Sequence, residues 1–284
     1  MRIMAHLIVN AGAQELTHDA DALARALAAL PATAPVVILI HGYKYAPGLP
    51  GHCPHDSILS PDASRSGWKL LSWPRHLRLG PEALVVAFGW RATGSIWTAY
   101  ARAEAAGREL GSLLTALDRP AHLLGHSLGA RVALSALRHA PEGRVGRLVL
   151  LAGAETRACA AAAMASPAGR WAEVLNVTSR ENALFDAMLT AALGLRGRPL
   201  GAGLSLPGWT DLAIDREATR DRLARFGHPI AAPSARICHW STYLRPGLLP
   251  LYGAVLRGDL PPGWLALPEA PADAPLPLGA HLSS

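Results

Sequence analysis

Lysine is nearly missing from this 284-residue chain: Lys44 and Lys69 stand against arginines that make up the rest of its 27 basic residues. Basic residues outnumber acidic ones by six, yet the arginines are scattered from Arg2 to Arg257 with no run of three. No patch is legible for the counterion release that drives nucleic-acid binding, so no nucleic-acid partner is expected. Cysteine is also scarce. Cys53, Cys159 and Cys238 lie far apart and leave at least one thiol unpaired, which excludes a disulfide framework and suits a reducing, cytoplasmic setting. No apolar run reaches the ~18 residues of a membrane span, and the Ala-rich stretch 158 to 165 reads as a buried helix. The opening MRIMAHLIVNAGAQE has one arginine and is interrupted by His6 and Asn10, so it reads as a first strand and not as a leader.

Several motifs are absent as well. The chain holds no G-x-x-x-x-G-K-[ST], no H-E-x-x-H and no G-x-G-x-x-G after a strand, which removes the usual signatures of nucleotide binding and zinc proteolysis. His52, Cys53, His55 and Asp56 cluster in a turn bounded by Gly51 and Pro54, but no second ligand pair answers them at zinc-site spacing. Neither a metal nor a cofactor is expected.

What remains is a core-forming composition, with 50% hydrophobic and 17% charged residues. Apolar runs of strand length fall at 5 to 9, 35 to 40, 83 to 88, 121 to 125, 147 to 152, 173 to 178 and 235 to 238. Helix-like stretches alternate with them at 19 to 30, 94 to 117, 128 to 140, 157 to 165, 182 to 193, 216 to 226 and 248 to 257, with Asn182 and Asp215 as N-cap candidates. Runs such as Val36-Val37-Ile38-Leu39-Ile40 are apolar on consecutive positions, as in strands covered on both faces. The expected fold is α/β, a mainly parallel sheet with helices on both faces. Residues 1–260 read as one domain with long excursions at 43–80 and 194–234, followed by a Pro-rich tail over 261–284 that is expected to pack loosely.

The strongest chemical signal is Gly125-His126-Ser127-Leu128-Gly129, directly after one apolar run and directly before a helix-like stretch. Strand, G-x-S-x-G, helix is the context of a nucleophile elbow, a turn so sharp that Ser127 stands exposed at the strand's carboxyl end. A second signal, His41-Gly42-Tyr43, follows the strand 35 to 40. The N–H groups of Tyr43 and Leu128 are placed to stabilise negative charge developing on an acyl oxygen, while His41 reads as a structural histidine bonding its loop. Serine needs a base, and chain order singles out His239 after the strand-like run 235 to 238. His228 is the fallback. His41, Gly42, Tyr45, Trp90, His126 and Trp240 fall near strand ends where a substrate pocket would form.

These pieces together resemble the α/β-hydrolases over residues 3 to 257: Val36 to Tyr43, Phe88-Gly89-Trp90, GHSLGA at 125 to 130, Leu148 to Gly153, and CHWS at 238 to 241. The chain is similar in particular to bacterial lipase-like and esterase-like members, in which a long helix leads into the nucleophile strand. The resemblance implies a serine hydrolase acting on a small-molecule ester or related acyl bond, without a cofactor. The family usually shows an aspartate shortly after the strand 173 to 178, where this chain reads Ser179-Arg180-Glu181-Asn182-Ala183-Leu184-Phe185-Asp186. Asn182 stands about where that aspartate would fall. Glu181 beside it and Asp186 one helical turn beyond are the two candidate acids, Glu181 ranked first. An orienting Asn182, or an acid from elsewhere such as Asp211, stays open.

Overall fold

A computed structural model describes residues 4–12, 16–17, 19–62 and 70–266. Residues 63–69 of the first excursion and 267–284 of the tail lie outside these. The elements run β1 (Ala5–Ala11), β2 (Leu16–Thr17), α1 (Ala20–Ala28), β3 (Val36–Ile40), α2 (Trp73–Leu77), β4 (Leu84–Gly89), α3 (Ile96–Ala116) and β5 (Ala121–His126). They continue with α4 (Leu128–His139), β6 (Val145–Leu151), α5 (Arg157–Met164), β7 (Glu173–Thr178), α6 (Ala183–Ala192) and β8 (Trp209–Ala213). The chain closes with α7 (Glu217–Arg225), α8 (Ser241–Leu244), α9 (Leu248–Arg257) and α10 (Pro262–Ala266). The eight strands form one sheet in the order β2-β1-β4-β3-β5-β6-β7-β8, parallel except for the β1–β2 pair. This is α/β architecture, consistent with an α/β-hydrolase-like fold.

The pleat of the central strands divides the core in two. Val36, Ile38 and Ile40 of β3 point to a layer shared with α1, α3, α4 and α5, while Val37 and Leu39 point to a layer built by α2, α7, α8, α9 and α10. Every residue of β3 and β4 is buried, which explains the unbroken apolar runs. Each fully buried aliphatic side chain there contributes about 1.5–3 kcal/mol over leaving it in water.

Three expectations are corrected. The run 235 to 238 is not a strand: Ala235, Arg236 and Ile237 are exposed and belong to a loop between α7 and α8. The last strand is instead β8, inside the stretch 194–234, where Thr210 and Asp211 interrupt the apolar run as an edge position allows. The beginning of the tail also packs, since α10 lies against β8 with Leu265 buried. At α7 the N-cap position is Arg216 and not Asp215, whose carbonyl accepts from Arg220 instead.

Candidate active site

The elbow is built by steric necessity. Ser127 sits between β5 and α4 at φ 56°, ψ −122°, a region that costs a residue with a side chain roughly 1–3 kcal/mol. The surroundings over-determine it: its N–H donates to the Leu151 carbonyl (3.0 Å), and its own carbonyl accepts from Ala130 (3.0 Å) and Ala154 (3.0 Å). A Cβ on Gly129 would run into the carbonyls of Ile40 and His41, and one on Gly125 would meet the Gly129 backbone. Glycine at both positions is what lets strand and helix approach closely enough for so tight a turn.

The turn His41–Tyr43 lies against the serine. A Cβ on Gly42 would come within 2.8 Å of both Ser127 Cβ and the His126 carbonyl. Among the described residues the N–H groups of Tyr43 and Leu128 donate to no protein acceptor, so two main-chain donors flank Ser127. Their setting is held from behind. The His41 ring is fully buried, its Nδ1–H donates to the Gly42 carbonyl (2.9 Å) and its Nε2 accepts from the Trp90 N–H (3.0 Å). The Trp90 indole N–H returns to the His41 carbonyl (3.0 Å), and the two rings stack at 5.6 Å. Burial drives the His41 pKa down to about 3, so the ring stays neutral and the bonds persist. His41 and Trp90, expected near a substrate, are therefore buried behind the turn, and Tyr45 packs edge-on to His41 at 5.6 Å.

His239, on the loop before α8, lies beside His126, the residue that precedes the serine. The His126 Nε2–H donates to the His239 carbonyl (3.0 Å), and the two rings lie 4.6 Å apart. Phe185 of α6 stacks on His239 at 4.6 Å, and Trp240 meets both rings at an angle. Burial, with His126 nearby, holds the His239 pKa well below the usual histidine value, so the imidazole is neutral. The polar partner of the His239 ring is Asn182, and no hydrogen bond joins that ring to Ser127 Oγ.

What holds the far nitrogen of His239 is neither candidate acid. Its Nδ1 is 2.6 Å from Oδ1 of Asn182. Asn182 closes a 3-10 turn, Arg180–Asn182, in which successive side chains diverge by about 120°. Glu181 consequently points away, into a buried ion pair with Arg245 and a hydrogen bond from the Ser179 hydroxyl (3.0 Å). Asp186 sits behind Asn182, accepting from its Nδ2 at 3.0 Å. Desolvation pushes the Asp186 pKa up to about 6, against the opposing effect of that hydrogen bond. Asp211 is turned elsewhere, toward Asn176 (2.7 Å), the Trp209 indole (2.9 Å) and the Leu204 N–H (2.7 Å).

The structure thus brings together Ser127, His239, Tyr43, Gly42, Leu128, His126 and Trp240, and it sets Glu181 apart. Asn182, the alternative left open beside the two acids, is the polar neighbour of His239, and Phe185 is the neighbour that the sequence did not single out. A cavity of about 370 Å³ lined by Asn10, Pro47, Leu49, Arg91 and Thr93 opens beside the first turn, but neither Ser127 nor His239 lines it. Among the described residues no three His, Cys, Asp or Glu side chains are grouped to hold a metal, and His55 is engaged with Asn10 (2.7 Å). Among the described residues no helix is long and apolar enough to cross a membrane. No family model and no curated protein matches the chain.

Proposed function

We propose that this chain is a serine hydrolase of the α/β-hydrolase type, cleaving a carboxylic ester or related acyl bond through an acyl-enzyme. Ser127 Oγ attacks the acyl carbonyl while His239 Nε2 takes the serine proton. The Tyr43 and Leu128 N–H groups receive the oxyanion of the tetrahedral adduct. As the adduct collapses, the imidazolium returns that proton to the departing alcohol, leaving the acyl group on Ser127. Water then attacks with His239 again as base, which releases the acid and restores the serine.

The observation that carries this reading is the strained backbone of Ser127, held by three hydrogen bonds beside a neutral histidine and two unengaged N–H donors. Strain of this kind in a residue with a side chain persists only where surrounding structure enforces it. Apolar surface borders the site, since Leu184 and Met188 are exposed on α6 next to Phe185, which supports an acyl chain as the group bound. The free thiols of Cys53, Cys159 and Cys238 support a reducing compartment such as the cytoplasm.

Labelling with a fluorophosphonate probe, read by mass spectrometry of the modified peptide, tests the reading. Label confined to Ser127, absent from Ser127→Ala and strongly reduced in His239→Ala, is the expected result. A folded protein that takes no label would overturn it. A second reading, a hydrolase-fold protein that binds without chemistry, is favoured by the amide, and not a carboxylate, on His239. Acyl transfer to an alcohol or amine shares the acyl-enzyme and separates from hydrolysis by product analysis with competing nucleophiles.

A further inference from the structure

An amide facing a catalytic histidine is ordinarily a defect. Free to turn, it can offer its NH₂ group to Nδ1, which stabilises the tautomer whose Nε2 already carries a proton, and turnover falls by about four orders of magnitude. In this chain the amide is not free to turn. A carboxylate only accepts hydrogen bonds, so Asp186, 3.0 Å from Asn182 Nδ2, holds that nitrogen on its own side. Oδ1 is thereby presented to His239 at 2.6 Å, and the ring proton sits on Nδ1. Nε2 then carries the lone pair and is left able to act as a base. The Asp186 carboxylate is fixed in turn by close packing: a Cβ on Gly201, in the 3-10 turn Leu200–Ala202, would overlap its Oδ2.

We propose that Asp186 is a positioning residue that selects the productive His239 tautomer through the Asn182 amide, so that the acid of the triad is displaced by one residue and acts at second hand. The proposal rests on the hydrolase reading above for its catalytic consequence, but its structural content stands apart from that reading. Among the described residues no other ion pairs with the carboxylate. Asp186 is the sole charged side chain of α6. On the adjoining 3-10 turn Arg180 faces Asp215 (3.7 Å) and Glu181 faces Arg245. The Leu200–Ala202 turn has no titratable side chain and is entered from the exposed Arg198, while the Asp211 carboxylate is taken up by Asn176, Trp209 and Leu204. The histidine loop presents His239, which burial keeps neutral.

The test compares wild type, Asp186→Asn and Asn182→Asp/Asp186→Asn on p-nitrophenyl butyrate from pH 5 to 9. The same proteins are examined by ¹⁵N NMR of the His239 ring. Partners one step removed from a reacting group, as around metal centres, typically change rates by about 10- to 100-fold. Asp186→Asn is expected to lower kcat by about that factor with KM little changed, and to lack the acid limb near pH 6 that the proposal requires of wild type. The double variant places a carboxylate directly on His239 and is expected to recover most of the loss. Unchanged kcat and acid limb in Asp186→Asn, or a loss that the double variant does not recover, would overturn the proposal.

The ring nitrogens of wild type give an answer that needs no variant to fold. An Nδ1–H tautomer that persists above pH 6 and turns mixed below it supports the coupling, and one unaffected across pH 6 refutes it. Fluorophosphonate labelling separates the two levels. Labelled wild type with an indifferent Asp186→Asn variant defeats the relay and leaves the hydrolase reading. An unlabelled protein whose His239 tautomer still follows Asp186 defeats the hydrolase reading and leaves the relay.

Discussion

The carboxyl ends of β5 and β7 both deliver side chains to the site, but they do so by opposite means. After β5 everything needed is local: two glycines, a serine and a helix start within five residues force one backbone path, closed by the Ile40 and His41 carbonyls. After β7 the path is an ordinary 3-10 turn, and the outcome depends on which distant partner each side chain finds. Glu181 finds Arg245, 64 residues on, and Asn182 finds His239, 57 residues on. Backbone geometry fixes the first corner and tertiary pairing fixes the second.

The sharpest way to break that contrast is at Asn182. Asn182→Ala removes the acceptor from His239 and is expected to reduce kcat by about 10³- to 10⁴-fold with the fold intact, measured on a short ester. A loss under tenfold would mean that His239 is oriented by its stacking on Phe185 and not by the amide. Next comes Glu181→Gln, which leaves Arg245 as an uncompensated buried charge and should lower stability by about 3–5 kcal/mol in denaturant titration. The activity per folded molecule should survive. If turnover collapses while stability holds, Glu181 is the acid after all.

At the other corner, Gly129→Ala forces a methyl group against the Ile40 and His41 carbonyls, and about 1–3 kcal/mol of stability should be lost. A variant as stable as wild type would show that the elbow is looser than its contacts indicate. The last effect concerns Asp186 and runs the other way. Its carboxyl is raised from 3.8 to about 6, so the folded chain holds this proton more tightly than the unfolded one does. Its contribution is most favourable below pH 4 and declines as pH rises through 6, to a penalty of about 3 kcal/mol at neutrality. Asp186→Asn should therefore raise Tm at pH 8 and change it little at pH 4. Equal shifts at both pH values would rule out desolvation as the cause.

The same contrast explains what could be read in advance. The elbow was legible because G-x-S-x-G between an apolar run and a helix has few conformational solutions. His239 was reached by chain order even though the strand assigned before it is a loop. β8 was hidden because an edge strand tolerates Thr210 and Asp211, which break the apolar run that marks a central strand. The choice among Glu181, Asn182 and Asp186 was illegible for a different reason. Neighbours in a 3-10 turn point in different directions, and which of them faces the site depends on where Arg245 and His239 arrive. One trace was present: Asn182 and Asp186 are four residues apart, the spacing at which an amide and a carboxylate meet along a helix.

The His41–Trp90 lock has one further consequence. Because the His41 ring titrates only near pH 3, the wall of the site that carries Tyr43 has a shape indifferent to acidity across the range in which proteins work. The opposite wall holds a carboxyl that changes charge near pH 6. On the proposed mechanism, acidification would leave the cradle for the oxygen standing and disarm the base, a division between a deaf face and a listening one.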